Sequence, residues 1–164
     1  MNIDYKNICE KGEEYLTKSL IKNNYQYNEY LNPMIYRQHP FKFECYAYDV
    51  NQVIGGIYGH IDDGYWLYIE LLYVENNYRH QKIATSLMQK ALKYAQEKEC
   101  IGIRLNTWNF QAKEFYEFLG YEVYGTLNNY PPNSTLYSMK KVLINEKEDF
   151  PKVDIVINNE QNNV

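Results

Sequence analysis

The sequence predicts a mixed α/β domain, and three stretches of the chain support that prediction. Residues 68–74 are apolar except for Glu70 and are rich in aromatic and β-branched side chains, which is typical of a buried strand. After a polar turn, apolar residues recur from Ile83 onwards at the spacing of one helical face. Residues 101–107 then alternate apolar and polar side chains, which indicates a second strand. A strand, a helix and a strand in this order are expected to form a right-handed unit with parallel strands.

Four further strands and two further helices are predicted on either side of this unit. The strands are residues 41–50 and 53–61, which form a hairpin, and residues 121–125 and 135–142. The helices are residues 4–24 and a short helix that ends at Gly120, where glycine suits the C-terminal cap. Gly55 and Gly56, inside the second hairpin strand, indicate a bulge or the close approach of another backbone. We expect residues 25–40 to form a loop.

The composition indicates one globular domain followed by an acidic tail. The chain has 164 residues, of which 45% are hydrophobic, and its net charge is −4. Residues 145–164 are rich in asparagine and hold five acidic residues and two lysines, so they carry three of the four net negative charges. We therefore predict a single domain over residues 1–144 and a flexible tail over residues 145–164. The near-neutral domain has no basic stripe of the kind that binds nucleic acid.

Neither a metal site nor a membrane segment is predicted. The three cysteines and the three histidines are far apart in the sequence and lack the spacings of metal ligands. The N-terminal residues form no apolar leader, and no apolar run is long enough to cross a bilayer. We expect a cytoplasmic protein that binds neither a metal ion, nor a membrane, nor nucleic acid.

The loop that joins the central strand to the following helix reads Arg79-His80-Gln81-Lys82-Ile83-Ala84. It resembles motif A of the GCN5-related N-acetyltransferase (GNAT) family, which reads Arg/Gln-x-x-Gly-x-Gly/Ala. Arg79 and Ala84 match the outer positions, whereas Lys82 stands where the family usually has glycine. The first amides of a helix lack intrahelical partners and carry the positive end of its dipole, so this loop suits a phosphate.

A second stretch, residues 109–121, resembles motif B of the same family, Asn-x-x-Ala-x-x-x-Tyr-x-x-x-Gly-Phe/Tyr. The matching residues are Asn109, Ala112, Tyr116, Gly120 and Tyr121. Two motifs in the family's order and at its usual spacing are much more specific than either motif alone. The resemblance covers roughly residues 41–141.

The resemblance implies a mixed, mostly antiparallel sheet of about six to seven strands with helices on both faces. It also implies transfer of the acetyl group of acetyl-coenzyme A, the co-substrate, to a primary amine by direct attack. We expect the acceptor to be a small molecule, since no peptide groove or basic docking surface can be read from the sequence. A protein or peptide N-acetyltransferase and a non-catalytic acyl-coenzyme A-binding module stay open as alternatives, and a homodimer stays open as well.

The resemblance also assigns residues to the coenzyme. The central strand is expected to splay from its parallel neighbour, which leaves backbone groups free to hold the pantetheine arm and the acetyl carbonyl. The residues assigned to coenzyme binding are Leu72, Tyr73, Val74, Arg79, His80, Gln81, Lys82, Ile83, Ala84, Thr85, Asn109 and Ala112. For Asn109, capping of the following helix is an alternative role. Lys82 is expected to adopt ordinary helical dihedral angles and to place its ammonium near the diphosphate.

Two residues are candidates for proton transfer. Tyr116 is on pattern for a general acid, because a phenol stays protonated at neutral pH and can donate to the departing thiolate. Glu70 is the candidate general base, directly or through water, since a carboxylate within an apolar strand is costly unless it has a partner or a function. The alternatives are a core tyrosine with a paired hydroxyl, and a glutamate that reaches solvent or pairs with a lysine. Regular alternation places Glu70 on the face of Leu72 and Val74, unless a bulge intervenes.

Overall fold

The computed structural model describes residues 11–27, 41–62 and 65–144. Backbone contacts divide the chain into two compact units, which are residues 1–38 with 153–164 and residues 39–152. The described part of the first unit contains helix α1, Gly12–Tyr25, with acidic residues in its first turn and Lys22 in its last, as the helix dipole favours. The start of the predicted first helix, most of the predicted loop after it and the predicted tail lie outside the described residues. The predicted domain boundary at residue 144 therefore stays a prediction.

The second unit is built on a six-stranded sheet. Its strands are β1 (Lys42–Asp49), β2 (Gln52–Ile61), β3 (Trp66–Val74), β4 (Gly102–Trp108), β5 (Glu122–Asn128) and β6 (Thr135–Val142). They lie in the order β1-β2-β3-β4-β6-β5, and every neighbouring pair is antiparallel except β3 and β4, which are parallel. Helix α2 (Ile83–Glu97) joins the parallel pair, and helix α3 (Lys113–Phe118) follows β4. The predicted mixed, mostly antiparallel sheet with helices is confirmed, with six strands.

One face of the sheet carries the hydrophobic core. The most deeply buried strand residues are Ile57, Leu67, Ile103, Leu105 and Met139. Each such side chain contributes about 1.5–3 kcal/mol to folding by leaving water. On this face, Phe43 of β1 packs on Tyr94 of α2, and Lys141 of β6 donates a hydrogen bond to the end of α3, so α2 and α3 cover the same face. The predicted helices on both faces are not seen within the described part of this unit. No helix in the described part of the chain is long and apolar enough to cross a membrane.

Strands β3 and β4 separate part of the way along their length. Their paired residues run from Trp66 opposite Gly102 to Ile69 opposite Leu105, and both strands continue beyond the last pair. Beyond Ile69, the backbone groups of β3 that face β4 have no partner in the ladder. The splayed central strand that the family resemblance implies is therefore present.

A β-bulge lies where the separation begins, and it corrects the predicted orientation of Glu70. Against β2, the register steps from Ile69 to Leu71, so Glu70 is an extra residue in β3. Leu72 packs against the core and Val74 is buried in it. Glu70 instead lies on the opposite face, where it contacts a histidine of β2. Strict alternation fails here because a bulge shifts the two-residue period of a strand by one position.

Candidate active site

The separation of β3 and β4 opens a cavity of about 920 Å³. One wall is the free edge of β3, residues 69–74, and another is formed by the end of β4 and the start of α3. The loop before α2 and the first turn of that helix also line the cavity. Glu70 of the central strand and Tyr116 of motif B, which are far apart in the sequence, therefore face the same space.

The amino end of α2 brings backbone amides and positive charge to this cavity. The first helical hydrogen bond runs from the amide of Ser86 to the carbonyl of Lys82, so the amides between these residues have no partner within the helix. Arg79 and Lys82 line the cavity beside them. Arg79 is held in place because its Nε donates a hydrogen bond of 3.1 Å to the carbonyl of Val74. A positive helix end flanked by an arginine and a lysine suits a phosphate group.

Lys82 precedes the first turn of α2 in a left-handed conformation, with φ 63° and ψ 12°. The expectation of ordinary helical dihedral angles at Lys82 is therefore wrong. Glycine, which the family usually has here, adopts this conformation without a steric penalty from Cβ. His80 also has φ 63°, so the loop contains two left-handed residues that are not glycine. Such conformations cost roughly 1–3 kcal/mol each and cluster at functional sites.

Tyr116 faces the cavity from α3. Only 8% of its surface is exposed, and its hydroxyl has no hydrogen-bond partner among the described residues. Burial raises the pKa of Tyr116 to about 12, so the phenol keeps its proton at neutral pH. The alternative role, a core tyrosine whose hydroxyl is hydrogen-bonded, therefore does not fit the described residues. A protonated, unpaired hydroxyl beside a cavity is able to donate to a group that binds there.

Glu70 reaches the cavity from the bulge in β3. Its Oε1 lies 2.6 Å from Nδ1 of His60 on β2, which is hydrogen-bond distance. The partner of Glu70 is thus a histidine, not the lysine considered as an alternative from the sequence. About a third of the Glu70 side chain, 37%, remains exposed. A carboxylate that is oriented by one partner and still open on another side is able to accept a proton from a bound amine.

Comparison with known proteins settles the family. Residues 9–121 match the model of the acetyltransferase (GNAT) family. The chain belongs to the GNAT family. It is 34% identical over 93 residues to blasticidin-S acetyltransferase of Streptomyces morookaense, a match that spans 56% of this chain and 68% of that protein. This GNAT protein is thus an acetyltransferase, as the two motifs predict.

Solved structures of other acetyltransferases share the fold of this GNAT enzyme. One is an acetyltransferase from Bacillus cereus, with a TM-score of 0.69 and 26% identity over 86% of this chain and 98% of that one. Another is a protein from Bacillus anthracis assigned as a streptothricin acetyltransferase and solved with acetyl-coenzyme A. Its TM-score is 0.59, with 26% identity over 66% of this chain and 66% of that one.

Most of the residues that the resemblance assigned to coenzyme binding line the cavity. They are Leu72, Tyr73, Val74, Arg79, His80, Lys82, Ile83, Ala84, Thr85 and Ala112. Gln81 and Asn109 are not among its lining residues. The Asn109 side chain accepts a hydrogen bond from the amide of Thr135, so it ties the end of β4 to β6 and does not cap α3. A role of each of these residues in coenzyme binding stays a prediction.

The cavity also contains residues that the sequence did not single out. Gln111 accepts hydrogen bonds from the hydroxyl of Thr107 and the amide of Trp108, and so fixes the end of β4. The rings of Trp108 and Phe110 stack with their centres 6.0 Å apart, and both line the cavity. Trp108, directly before motif B, and Phe110, its second residue, were the available signal for this wall. Among the described residues, no group of side chains is placed to hold a metal ion.

Proposed function

We propose that this GNAT enzyme transfers the acetyl group of acetyl-coenzyme A to a primary amine of a small molecule. The observation that carries the proposal is one cavity that contains an oriented carboxylate, Glu70, and an unpaired phenol, Tyr116. Acetylation of an amine needs one group that accepts the ammonium proton and another that supplies a proton to the leaving thiolate. The relative named blasticidin-S acetyltransferase supports a small molecule as the acceptor.

The coenzyme end of the cavity is suited to a diphosphate and an extended amide chain. The free amides at the start of α2 would donate to the diphosphate, and Arg79 and Lys82 would add positive charge. The free edge of β3, residues 72–74, offers backbone donors and acceptors to the amides of the pantetheine arm. Pairing of this kind is the chemistry by which an extended ligand adds to an open strand.

Acetyl-coenzyme A supplies an acetyl thioester when it is bound. Glu70 accepts one proton from the ammonium form of the acceptor, directly or through water, which frees the nitrogen lone pair for attack. As the carbon–nitrogen bond forms and the carbon–sulfur bond breaks, Tyr116 donates its hydroxyl proton to the sulfur. The proton that the nitrogen loses on becoming an amide restores the Tyr116 hydroxyl, and the proton on Glu70 passes to solvent. The products are an N-acetylated amine, the free thiol of coenzyme A and one proton.

Two measurements test this function. Millimolar acetyl-coenzyme A should raise the melting temperature, because a ligand that binds only the folded state stabilises it. Free thiol should then appear when the enzyme is given members of a panel of small amines and peptides. The matched control is Tyr116→Phe, which should keep the thermal shift and lose most of the thiol release.

Each alternative function has its own outcome in this experiment. A thermal shift without thiol release from any acceptor would identify a non-catalytic acyl-coenzyme A-binding module. Thiol release with peptides alone would identify a peptide N-acetyltransferase. The absence of any thermal shift would refute the enzyme and the binding module together.

A further inference from the structure

A second, smaller cavity lies on the face of the sheet opposite to α2 and α3. It has a volume of about 370 Å³ and is formed by β1, β2 and β3. We name it the tyrosine groove; its main lining residues are Tyr46, Val53, Gly56, Tyr58, Leu71 and Tyr73. In the sheet register Gly56 lies between Tyr46 and Tyr73, so two of the rings flank a residue without a side chain. A volume of this size suits a ring system of a small molecule.

The absence of a side chain at Gly56 creates the floor of the tyrosine groove. A Cβ added to Gly56 would come within 2.7 Å of the ring of Tyr46, and one added to Gly55 would come within 2.8 Å of the carbonyl of Tyr73. Contacts this short require a neighbour to move. Gly56 therefore keeps the groove open and lets the ring of Tyr46 approach the backbone. Gly55 points to the core face, where the absence of its side chain lets the backbone of β3 approach closely.

The walls of the tyrosine groove are apolar and unusually exposed. Tyr46 is 47% exposed, Tyr73 is 53% exposed and Leu71 is 65% exposed. Single exposed apolar side chains are ordinary on protein surfaces, but a contiguous group that encloses a cavity marks a binding site.

The charge of the tyrosine groove is negative. Glu75 is part of the lining, and its carboxylate accepts a hydrogen bond of 3.4 Å from the hydroxyl of Tyr73. At the rim, the Tyr46 hydroxyl donates a hydrogen bond of 3.1 Å to Glu44. No lysine or arginine is found among the described residues of the lining, although Arg79 contacts the Tyr73 ring at 5.8 Å. Tyrosine rings and carboxylates together attract an organic cation.

The tyrosine groove is continuous with the active-site cavity, because Leu71 and Tyr73 line both. Glu70, the proposed base, directly precedes Leu71 on β3. A molecule whose amine lies beside Glu70 can therefore extend across Leu71 into the groove.

We infer that the tyrosine groove binds the remote end of the acceptor, and that this end is a positively charged, ring-bearing group. The inference rests on the proposed function, which places the reacting amine beside Glu70. It adds a chemical class of acceptor: a molecule with a primary amine at one end and a second cationic centre, next to a ring, at the other.

Two probes that differ only in charge test the groove without requiring catalysis. They are the 3-trimethylammoniophenol cation and 3-tert-butylphenol, which have the same shape, and neither has an N–H group that could be acetylated. Amide chemical shifts of Gly55 and Gly56 in the isotope-labelled protein report binding at the groove. We expect the cation to shift these two amides and to bind at least about threefold more tightly than the neutral probe.

Two variants with the same change of charge separate the groove from a general field effect. Glu75→Gln should remove most of the preference for the cation, whereas Glu97→Gln on α2, across the sheet, should leave it unchanged. Equal affinity for both probes, or shifts that avoid Gly55 and Gly56, would overturn the inference. The proposed function fails separately, since a protein that binds the cation in the groove yet acetylates no amine would refute the transfer reaction alone.

Discussion

Glu70 and His60 lie on neighbouring strands and are joined by a hydrogen bond of 2.6 Å between Oε1 and Nδ1. The bond fixes the one carboxylate that the bulge of β3 presents to the active-site cavity. Because the imidazole occupies one carboxylate oxygen, the second oxygen is left open toward the cavity, where we propose that the acceptor amine binds. The geometry of the proposed base therefore depends on a residue from a different strand.

Replacing Glu70 by glutamine should move the pH profile of acetylation to higher pH. Glutamine keeps the shape of the side chain but accepts no proton, so the ammonium must lose its proton to bulk water before it can attack. The measurement is the rate of thiol release between pH 6 and 10 with one small amine. A variant whose profile overlies that of the wild type would show that water or another group is the base.

Two substitutions of His60 should differ in turnover. Glutamine can still donate a hydrogen bond to Glu70, whereas leucine cannot, so His60→Leu should lose roughly tenfold or more in kcat and His60→Gln should lose less. The KM for acetyl-coenzyme A should stay the same in both, because His60 does not line the active-site cavity. Equal losses in both variants would assign His60 to packing alone.

Tyr116→Phe should lower turnover by roughly ten- to a thousandfold, within the range of general acid catalysis. The affinity for acetyl-coenzyme A should change little, since the substitution removes one hydroxyl that has no partner among the described residues. Single-turnover rates and calorimetric affinities measure the two effects separately. Wild-type turnover in this variant would return Tyr116 to a purely structural role.

The folded protein should lose stability as the pH rises above 10. Burial raises the pKa of Tyr116 to about 12 and also raises the pKa of Tyr121, whereas an unfolded tyrosine has a pKa of about 10. The unfolded chain therefore releases these protons first, so stabilisation that is complete below pH 10 is lost as the pH rises towards 12. For Tyr116 alone the loss is roughly 1–3 kcal/mol.

Urea unfolding at pH 9, 10 and 11 measures this loss. Tyr116→Phe should make the dependence on pH shallower, and the exposed Tyr124→Phe serves as its control. If both variants follow the wild-type curve, the buried tyrosine does not contribute to the alkaline transition.

Lys82→Gly should have opposite effects on stability and on coenzyme affinity. Glycine relieves the left-handed backbone at this position, so the free protein should gain about 1 kcal/mol in stability. The loss of the ammonium should weaken binding of coenzyme A by about 1 kcal/mol or less, and less at high salt, because exposed charges are screened.

Lys82→Ala separates these two effects. Alanine removes the charge but keeps the Cβ, so affinity should fall as in the glycine variant without the gain in melting temperature. Calorimetric titration at low and high ionic strength is the measurement. Tighter binding by Lys82→Gly at both salt concentrations would show that the lysine side chain obstructs the diphosphate.

The sequence predicted the features that repeat along the chain and missed those that depend on register. The spacing of apolar side chains in β3, α2 and β4 can be recognised within each segment alone, and these three elements are confirmed. The hydrogen bond between His60 and Glu70 could not be predicted from the sequence, since it depends on how β2 pairs with β3. Regular alternation gave the wrong face for Glu70 for the same reason, because a bulge shifts the alternation by one position and its place is set by the pairing of two strands.

The site shows the same division. Glu70 of the central strand, Tyr116 of motif B and most of the assigned coenzyme residues do line one cavity, although their roles stay predictions. The left-handed backbone of Lys82 was missed because helical periodicity starts at the next residue and says nothing about the dihedral angles before it. Gly55 and Gly56 did indicate a close approach, but the groups that approach them, the carbonyl of Tyr73 and the ring of Tyr46, come from other strands.

The bulge in β3 implies that the hydrophobic core does not need Glu70. Ile69 and Leu72 both face the core, and Leu71 lies between them on the opposite face. A strand one residue shorter, without Glu70, would alternate regularly and would direct the same apolar side chains inward. Packing of the fold therefore does not require this residue. Glu70 is an insertion into an otherwise regular strand, and its side chain faces the active-site cavity.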